Sequence, residues 1–389
     1  VYWSMWEATE PQGQVIQEAV DAYTEQTGVK VDLQFKGRTG NREALQPALD
    51  GGTQIDIFDE DIDRVNGMYG KYLLDLEDLA KDNDYEATAN AGLMAACRDA
   101  GGGTLKTIPY QPNVFAFFYN KDLFEQAGIT EAPKTFDELL ADCKLLQDQE
   151  IIPIAMGADW PILRYIAQVP FRLTGNEYIE NAVSGEGSFG EEAGLKGAQF
   201  MQDIAQYFQE GWSSADYDTM NDLFASGQAA IMYNGTWALE QADMIGEDGN
   251  IKDNIGYFTM PTYSDADVTT ATDFFANSGI GTAIRTDAVD DEMKAWIKYL
   301  LEHFADASLS YDQLPSVMPD EETMQSLPKV YQQIIEDVSN VKEYAKCWDV
   351  VIDSALVEPL EKETVILALG QETPEEWAAN MDEYVKNQK

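Results

Sequence analysis

Carboxylates and aromatic rings are the side chains through which this chain can do chemistry; recognisable nucleophile–base and metal-ligand patterns are missing from its sequence. Its one histidine, His303, falls among Leu300, Leu301 and Phe304 and reads as an ordinary helix-face residue. No GxSxG, P-loop, GxGxxG or HExxH pattern occurs, which argues against histidine-based triads and metal-dependent hydrolysis. Asp59, Asp61 and Asp63 alternate as a calcium loop would begin, but such a loop then requires glycine and glutamate where Arg64 and Gly70 stand. Cys97, Cys143 and Cys347 lie far apart without a CxxC pair and read as buried free thiols, with one disulfide as the alternative. No metal and no cofactor is expected. Paired carboxylates remain, because among 70 Asp and Glu some will face each other, so a glycoside-active enzyme stands as the rival class to a binding protein.

The elements that must position these groups begin as alternating strand and helix. Tyr2 to Met5 is a short apolar run, and Val15, Ile16, Ala19, Ala22 and Tyr23 recur at helical spacing up to Gly28. Val29 to Phe35 alternates as a half-buried strand, Ala44 to Leu49 forms a second helix, and Ile55 to Phe58 a third strand. This β-α-β-α-β order predicts an α/β fold with a mostly parallel sheet. Ligands of open α/β sheets bind beyond the carboxyl ends of the strands, which selects Trp6 and Glu7, then Arg38 and Asn41, then Asp59, Glu60 and Asp61. Further along, Trp160 follows the strand Ile151 to Ala155, Trp237 follows a turn at Asn234-Gly235, and Trp348-Asp349 lies in a mainly helical C-terminal part.

Length and charge narrow the class. With 389 residues the chain exceeds what one hydrophobic core usually organises, and 44% apolar residues are ample for two. No window reaches the roughly 18 apolar residues of a membrane span, and Val1-Tyr2-Trp3 has no signal-peptide pattern. The reading is a soluble chain that starts after a removed leader. Twenty-five Lys and Arg against the 70 acids give a formal charge of −45, which repels phosphate backbones and argues against nucleic acid as a partner.

Three stretches together resemble the family 1 extracellular solute-binding proteins of ATP-binding cassette importers, a group that includes the maltose-binding protein. They are Tyr119-Asn120-Lys121-Asp122-Leu123-Phe124 with Pro133 to Leu140 and Ile151 to Ile154; Leu223 to Trp237, containing Gly227 and Asn234-Gly235-Thr236-Trp237; and the opening from Trp3 through Gly28 to Asp56-Ile57-Phe58. Much of this signature is architecture, since Asn120 is placed to cap one helix, Thr135 and Glu138 another, and Gly227 to end a third; outside it, Thr373 and Glu376 form a capping box on the last helix. The resemblance implies a two-lobed periplasmic-binding-protein-like fold, with a ligand in a cleft between lobes that close on it. The expected lobes are residues 1–112 with 275–313 and residues 113–274 with 314–389, with crossings near Tyr110 to Asn113, Ala271 to Ser278 and Tyr311 to Met318.

It further implies a non-enzymatic monomer that captures a carbohydrate and hands it to membrane permease subunits. The location would be outside the cell membrane, lipid-anchored to its outer face or periplasmic. Sugars need aromatic faces and hydrogen-bonding carboxylates, and eight Trp and 19 Tyr supply the rings. Trp237 stands where this family commonly presents an aromatic to the ligand. Maltose-binding relatives carry a tryptophan after the third strand, whereas this chain has Asp59-Glu60-Asp61, which argues against a maltose-type pocket. Neutral oligosaccharides are the expected ligands. Behind them come monosaccharides or anionic sugars, whose carboxylate Arg38 or Arg164 is able to hold, and then non-sugar solutes.

Overall fold

In the computed structural model, the described residues are 1–388 without 84, 86–88, 90, 110–112, 241, 248–250, 278, 310–318, 320, 342 and 353. They divide into two compact units, Val1–Asn113 with Asn277–Ser339 and Val114–Ala276 with Asn340–Lys389. Of the expected crossings, Tyr311 to Met318, Tyr110 to Pro112 and Ser278 lie outside the described residues. Where the sequence reading gave 314–389 to the second lobe, the first unit here keeps the chain through Ser339. The segment concerned includes the helix Lys329–Asn340, which buries Val330, Tyr331, Ile334, Ile335 and Val338. Helical periodicity identifies such an apolar stripe without saying which core receives it.

In the first unit, β1 (Tyr2–Ser4), β2 (Leu33–Phe35), β3 (Ile57–Asp61), β4 (Thr107–Pro109) and β10 (Ile280–Ile284) form one sheet in the order β2-β1-β3-β10-β4. The first three strands are parallel, as the β-α-β-α-β pattern requires, while β10 runs antiparallel between β3 and β4. Side chains alternate across the sheet. Tyr2 and Ile57 pack with Val15, Ile16, Val20, Tyr23 and Trp296 on one face. Trp3 and Phe58 pack with Leu45, Leu49, Val65 and Tyr69 on the other. The helix Pro11–Thr27 starts with Pro11 in its first turn and stops at Gly28, whose φ of 77° provides a left-handed C-cap.

The second unit holds β5 (Asn113–Asn120), β6 (Ile152–Ala155), β7 (Ala229–Gly235) and β8 (Ile255–Phe258) in the order β6-β7-β5-β8; the short β9 (Ala276–Asn277) pairs with β5. The aromatic run of β5 supplies its centre. Phe117 stacks on Phe258 at 4.8 Å and meets Tyr233 at 4.6 Å. The caps read from sequence are present: Asn120 accepts from the backbone N–H groups of Asp122 and Leu123, and Thr135 and Glu138 form a capping box. Thr373 and Glu376 exchange the same pair of bonds at the last helix. All three cysteines are buried.

Two carboxylates near the C-terminus share one donor. The Asn380 amide donates to Glu372 at 3.0 Å and to Glu363 at 3.2 Å, and the Tyr384 hydroxyl donates to Glu363 at 3.0 Å. Burial, followed by the neighbouring Glu363 charge, pushes the Glu372 carboxyl up to about 7. A folded-state pKa above the unfolded value means that stability is fully present below the unfolded pKa and is lost as pH rises through the folded one. We therefore expect the melting temperature to fall between about pH 5 and pH 8, and Glu372→Gln to flatten that fall. Thermal unfolding of parent and variant across the range checks it; equal slopes would refute the raised Glu372 pKa.

Candidate functional site

In the first unit the strand-end residues separate into two groups. Trp6, Glu7 and Arg38 come together at the ends of β1 and β2. The Arg38 guanidinium lies 4.7 Å above the Trp6 ring and donates to Glu10 at 2.6 Å. Gly37, with φ of 66°, makes room for this arrangement, because a Cβ there would stand 2.2 Å from a Glu7 carboxylate oxygen. Trp6 is only 6% exposed beneath its cover, whereas Glu7 and Arg38 are exposed.

Asn41, Asp59 and Glu60 instead point into the unit. Sequence reading ended the third strand at Phe58 and placed Asp59 to Asp61 in the loop beyond it. In the structure β3 continues to Asp61, because β10 pairs with it at Asp59, Glu60 and Asp61. Asp59 is buried and accepts from Tyr2 at 2.8 Å, Ser4 at 2.7 Å and Thr282 at 3.2 Å. Asn41, also buried, donates to the Asp59 carbonyl at 2.9 Å. Glu60, 0% exposed, accepts from the Asp61 N–H at 2.8 Å and from Tyr69 at 3.3 Å, with the Arg42 guanidinium 3.8 Å away. Burial raises its carboxyl, and burial with the Glu60 charge raises the Tyr69 phenol to about 12. Asp61 is half-buried and ion-pairs with Arg42.

Asp59 thus joins β1, β3 and β10 through three hydroxyl donors. Leaving a buried donor unsatisfied costs about 1–3 kcal/mol, so Asp59→Ala is expected to destabilise the first unit by about 3 kcal/mol. Chemical denaturation measures this. A variant as stable as the parent would show the network to be unnecessary.

The second unit gathers a set of partly open aromatics. Trp160 is the N-cap of the helix Pro161–Thr174, and Trp237 lies in the 3-10 turn Thr236–Glu240 directly after β7. Tyr217 starts the helix Tyr217–Ala225, whose N-cap Asp216 accepts from the Thr219 N–H. All three rings are half-buried, over a buried Phe115. Trp237 meets Phe115 at 5.1 Å and Trp160 at 6.2 Å, and Trp160 meets Tyr217 at 6.1 Å. The Trp237 indole N–H donates to the Tyr217 hydroxyl at 2.9 Å, which fixes both rings. Phe115 pairs in register with Gly235. Gly235 is required there, since a Cβ would lie 2.1 Å from the Trp237 ring.

Charge borders this face. The buried Arg164 guanidinium sits 4.6 Å over Phe115 and 5.2 Å over Trp160, and ion-pairs with Asp349. Burial raises the Asp159 carboxyl, with the Asp216 charge adding to it. Burial raises Glu361 as well, with Asp349 and Asp159 adding to it. Trp348, by contrast, is 3% exposed and packs against Tyr178 at 5.8 Å and Phe189 at 6.4 Å, so it belongs to the core. The sequence reading missed Tyr217, Phe115 and Glu361. The Asp216 cap could have located Tyr217 at a helix start, but nothing local marks Glu361. Among the described residues no group of three or more His, Cys, Asp or Glu is arranged to hold a metal ion.

Two α/β units, one presenting half-open indole and phenol rings bordered by carboxylates, define a ligand-binding protein of the two-lobed class. The chain matches the model of the bacterial extracellular solute-binding proteins over residues 7–304 and belongs to that family, which is extracytoplasmic. It is 25% identical over 243 residues to a maltotriose-binding protein of Pyrococcus abyssi, covering 59% of this chain and 50% of the relative. It is 26% identical over 262 residues to a maltooligosaccharide ABC transporter solute-binding lipoprotein of Streptococcus pneumoniae, covering 64% and 56%. The matched region thus spans about half the length of these curated relatives. Among solved structures, a chitin oligosaccharide binding protein superposes with a TM-score of 0.77 at 23% identity, covering 100% of this chain and 98% of the other. A probable secreted solute-binding lipoprotein from Streptomyces coelicolor gives 0.82 at 17% identity, covering 99% and 98%. No helix among the described residues is long and apolar enough to cross a membrane.

Proposed function

We propose that this chain captures a neutral oligosaccharide outside the cell membrane and delivers it to the permease subunits of an ATP-binding cassette importer. The observation that carries this reading is the trio Trp160, Tyr217 and Trp237, held half-open on one face of the second unit. Pyranose rings offer an apolar C–H face that stacks on such rings, and their hydroxyls donate to carboxylates like Asp159 and Glu361. Relatives named for maltotriose and maltooligosaccharides, and a structural neighbour named for chitin oligosaccharides, support the ligand class. The formal charge of −45 and the engagement of Arg164 by Asp349 weigh against anionic sugars in the second unit. On the first unit, Trp6, Glu7 and Arg38 are the residues we assign to ligand contact. We further propose that the protein acts as a lipid-anchored or periplasmic monomer, takes no nucleic acid, and leaves its ligand chemically unchanged.

The test uses a glycan array followed by calorimetry on the best ligand. Trp237→Ala should weaken binding by about 2 kcal/mol or more, the scale of an aromatic anchor in a desolvated site. Thermal unfolding of the same variant separates contact from packing. A folded Trp237→Ala protein with parental affinity would overturn the assignment. Mass spectrometry of the incubated glycan should recover it intact, and released fragments would favour the glycoside-active alternative.

A further inference from the structure

The interior of the second unit contains a cluster of polar groups that the aromatic face does not use. On the helix Pro161–Thr174, Arg164 Nε, the Tyr165 hydroxyl and both amide atoms of Gln168 are buried without a hydrogen-bond partner among the described residues. The Tyr233 hydroxyl on β7 is in the same state. These groups converge. The Tyr165 and Tyr233 rings are 5.5 Å apart, and the Tyr233 hydroxyl feels the charges of both Arg164 and Arg172. Arg164 and Tyr233 both lie against Phe115, the guanidinium 4.6 Å and the Tyr233 ring 6.4 Å from its ring, and Gln168 follows Arg164 one turn along the helix.

Buried polar groups in native proteins nearly always have a partner, and each one lacking it is costly. A cluster of this kind therefore calls for an occupant, and the surrounding field selects its sign. Arg164 is neutralised by Asp349. Arg172 places its donors only on neutral acceptors: the Pro261 carbonyl at 2.9 Å, the Thr269 hydroxyl at 3.0 Å, the Thr270 carbonyl at 2.5 Å and the Met260 carbonyl. Among the described residues no carboxylate contacts its buried charge, and burial lowers its pKa to about 10, with Asp267 and Asp273 acting at range. The stripe from Arg164 to Arg172 is consequently electropositive and rich in N–H and O–H donors. Gln168 can present its N–H groups by rotating its terminal amide, whose orientation is assigned from partners that are lacking here.

We propose that the second unit encloses a site for a small monovalent anion of chloride size, held by Arg164 Nε, the Gln168 amide N–H and the Tyr233 hydroxyl. The anion supplies the acceptor these donors lack and offsets the buried Arg172 charge from a position behind Phe115. The site is independent of the sugar assignment, and its loss would leave that reading standing.

Crystals of the full chain equilibrated with sodium bromide decide the matter without a variant. An anomalous peak within hydrogen-bonding distance of Arg164 Nε and the Tyr233 hydroxyl is expected. Water density without anomalous signal at that position, or bromide confined to the surface, would overturn the proposal. In solution, sodium chloride should raise the melting temperature over equimolar sodium gluconate by about 2 °C or more. Tyr233→Phe, which keeps the ring, should abolish that difference. A chloride increment that survives in a folded Tyr233→Phe protein also counts against the site.

Discussion

A guanidinium cannot be taken out of water without a partner, and the burial of Arg164 organises the aromatic face of the second unit. Its side chain is 3% exposed and ion-paired with Asp349, while its flat surface lies against Phe115 and Trp160. Breaking such a pair by removing one member typically costs about 3–5 kcal/mol, because the other charge is left stranded. The pair therefore fixes the start of the helix Pro161–Thr174, where Trp160 is the cap, and ties it to the segment beginning at Trp348. Trp160 is then positioned from beneath by a cation and from the side by Trp237 and Tyr217. Three half-open rings are kept in one arrangement, where free rotamers would have to be ordered by the ligand at a cost of about 0.5–1.5 kcal/mol each.

The first unit solves a similar problem with hydroxyls in place of a cation. Asp59 lies in the middle of a sheet, and the donors from Tyr2, Ser4 and Thr282 come from both neighbouring strands. Its neighbour Glu60 faces the opposite side and uses Tyr69 and Arg42. Consecutive carboxylates on opposite faces of one strand are both internalised, which leaves Trp6, Glu7 and Arg38 as the outward chemistry of that edge. There the Trp6 face is occupied by Arg38, itself restrained by Glu10. A ligand that stacks on Trp6 must displace that guanidinium, whereas a carboxylate-bearing ligand could approach Arg38 without uncovering the indole.

How much of this was legible follows from the range of the interactions involved. Caps at Asn120, Thr135 and Thr373 are local, within a few residues, and were readable from spacing alone. The parallel strands β1, β2 and β3 were readable for the same reason, as successive runs of alternating or continuous apolar residues. The extension of β3 through Asp61 was not, because β10 comes from a distant part of the chain and no local pattern announces the pairing. That single omission turned two buried network residues into apparent loop candidates. Trp237 stands out in the sequence because the Asn234-Gly235-Thr236-Trp237 motif is local, while the contacts that Tyr217 and Phe115 make with it have no local signal. Trp348 shows the converse: a tryptophan beside a charged residue looked available, but its neighbour Asp349 serves Arg164 and the indole completes a core of Tyr178 and Phe189.

Charge accounting connects these local facts to the proposed ligand. The chain has 25 basic residues, and the two on the helix Pro161–Thr174 are both buried and engaged inside the second unit. What borders the aromatic rings there is carboxylate: Asp159 is raised by burial and the Asp216 charge, and Glu361 by burial and the charges of Asp349 and Asp159. A carboxylate in that setting gains from accepting a hydroxyl proton donor, since the bond stabilises its charged form and replaces lost hydration. An anionic group placed in the same position would add repulsion to desolvation. The arrangement of acids around stacked rings thus favours a polyhydroxylated, uncharged ligand on physical grounds that do not depend on any relative's name.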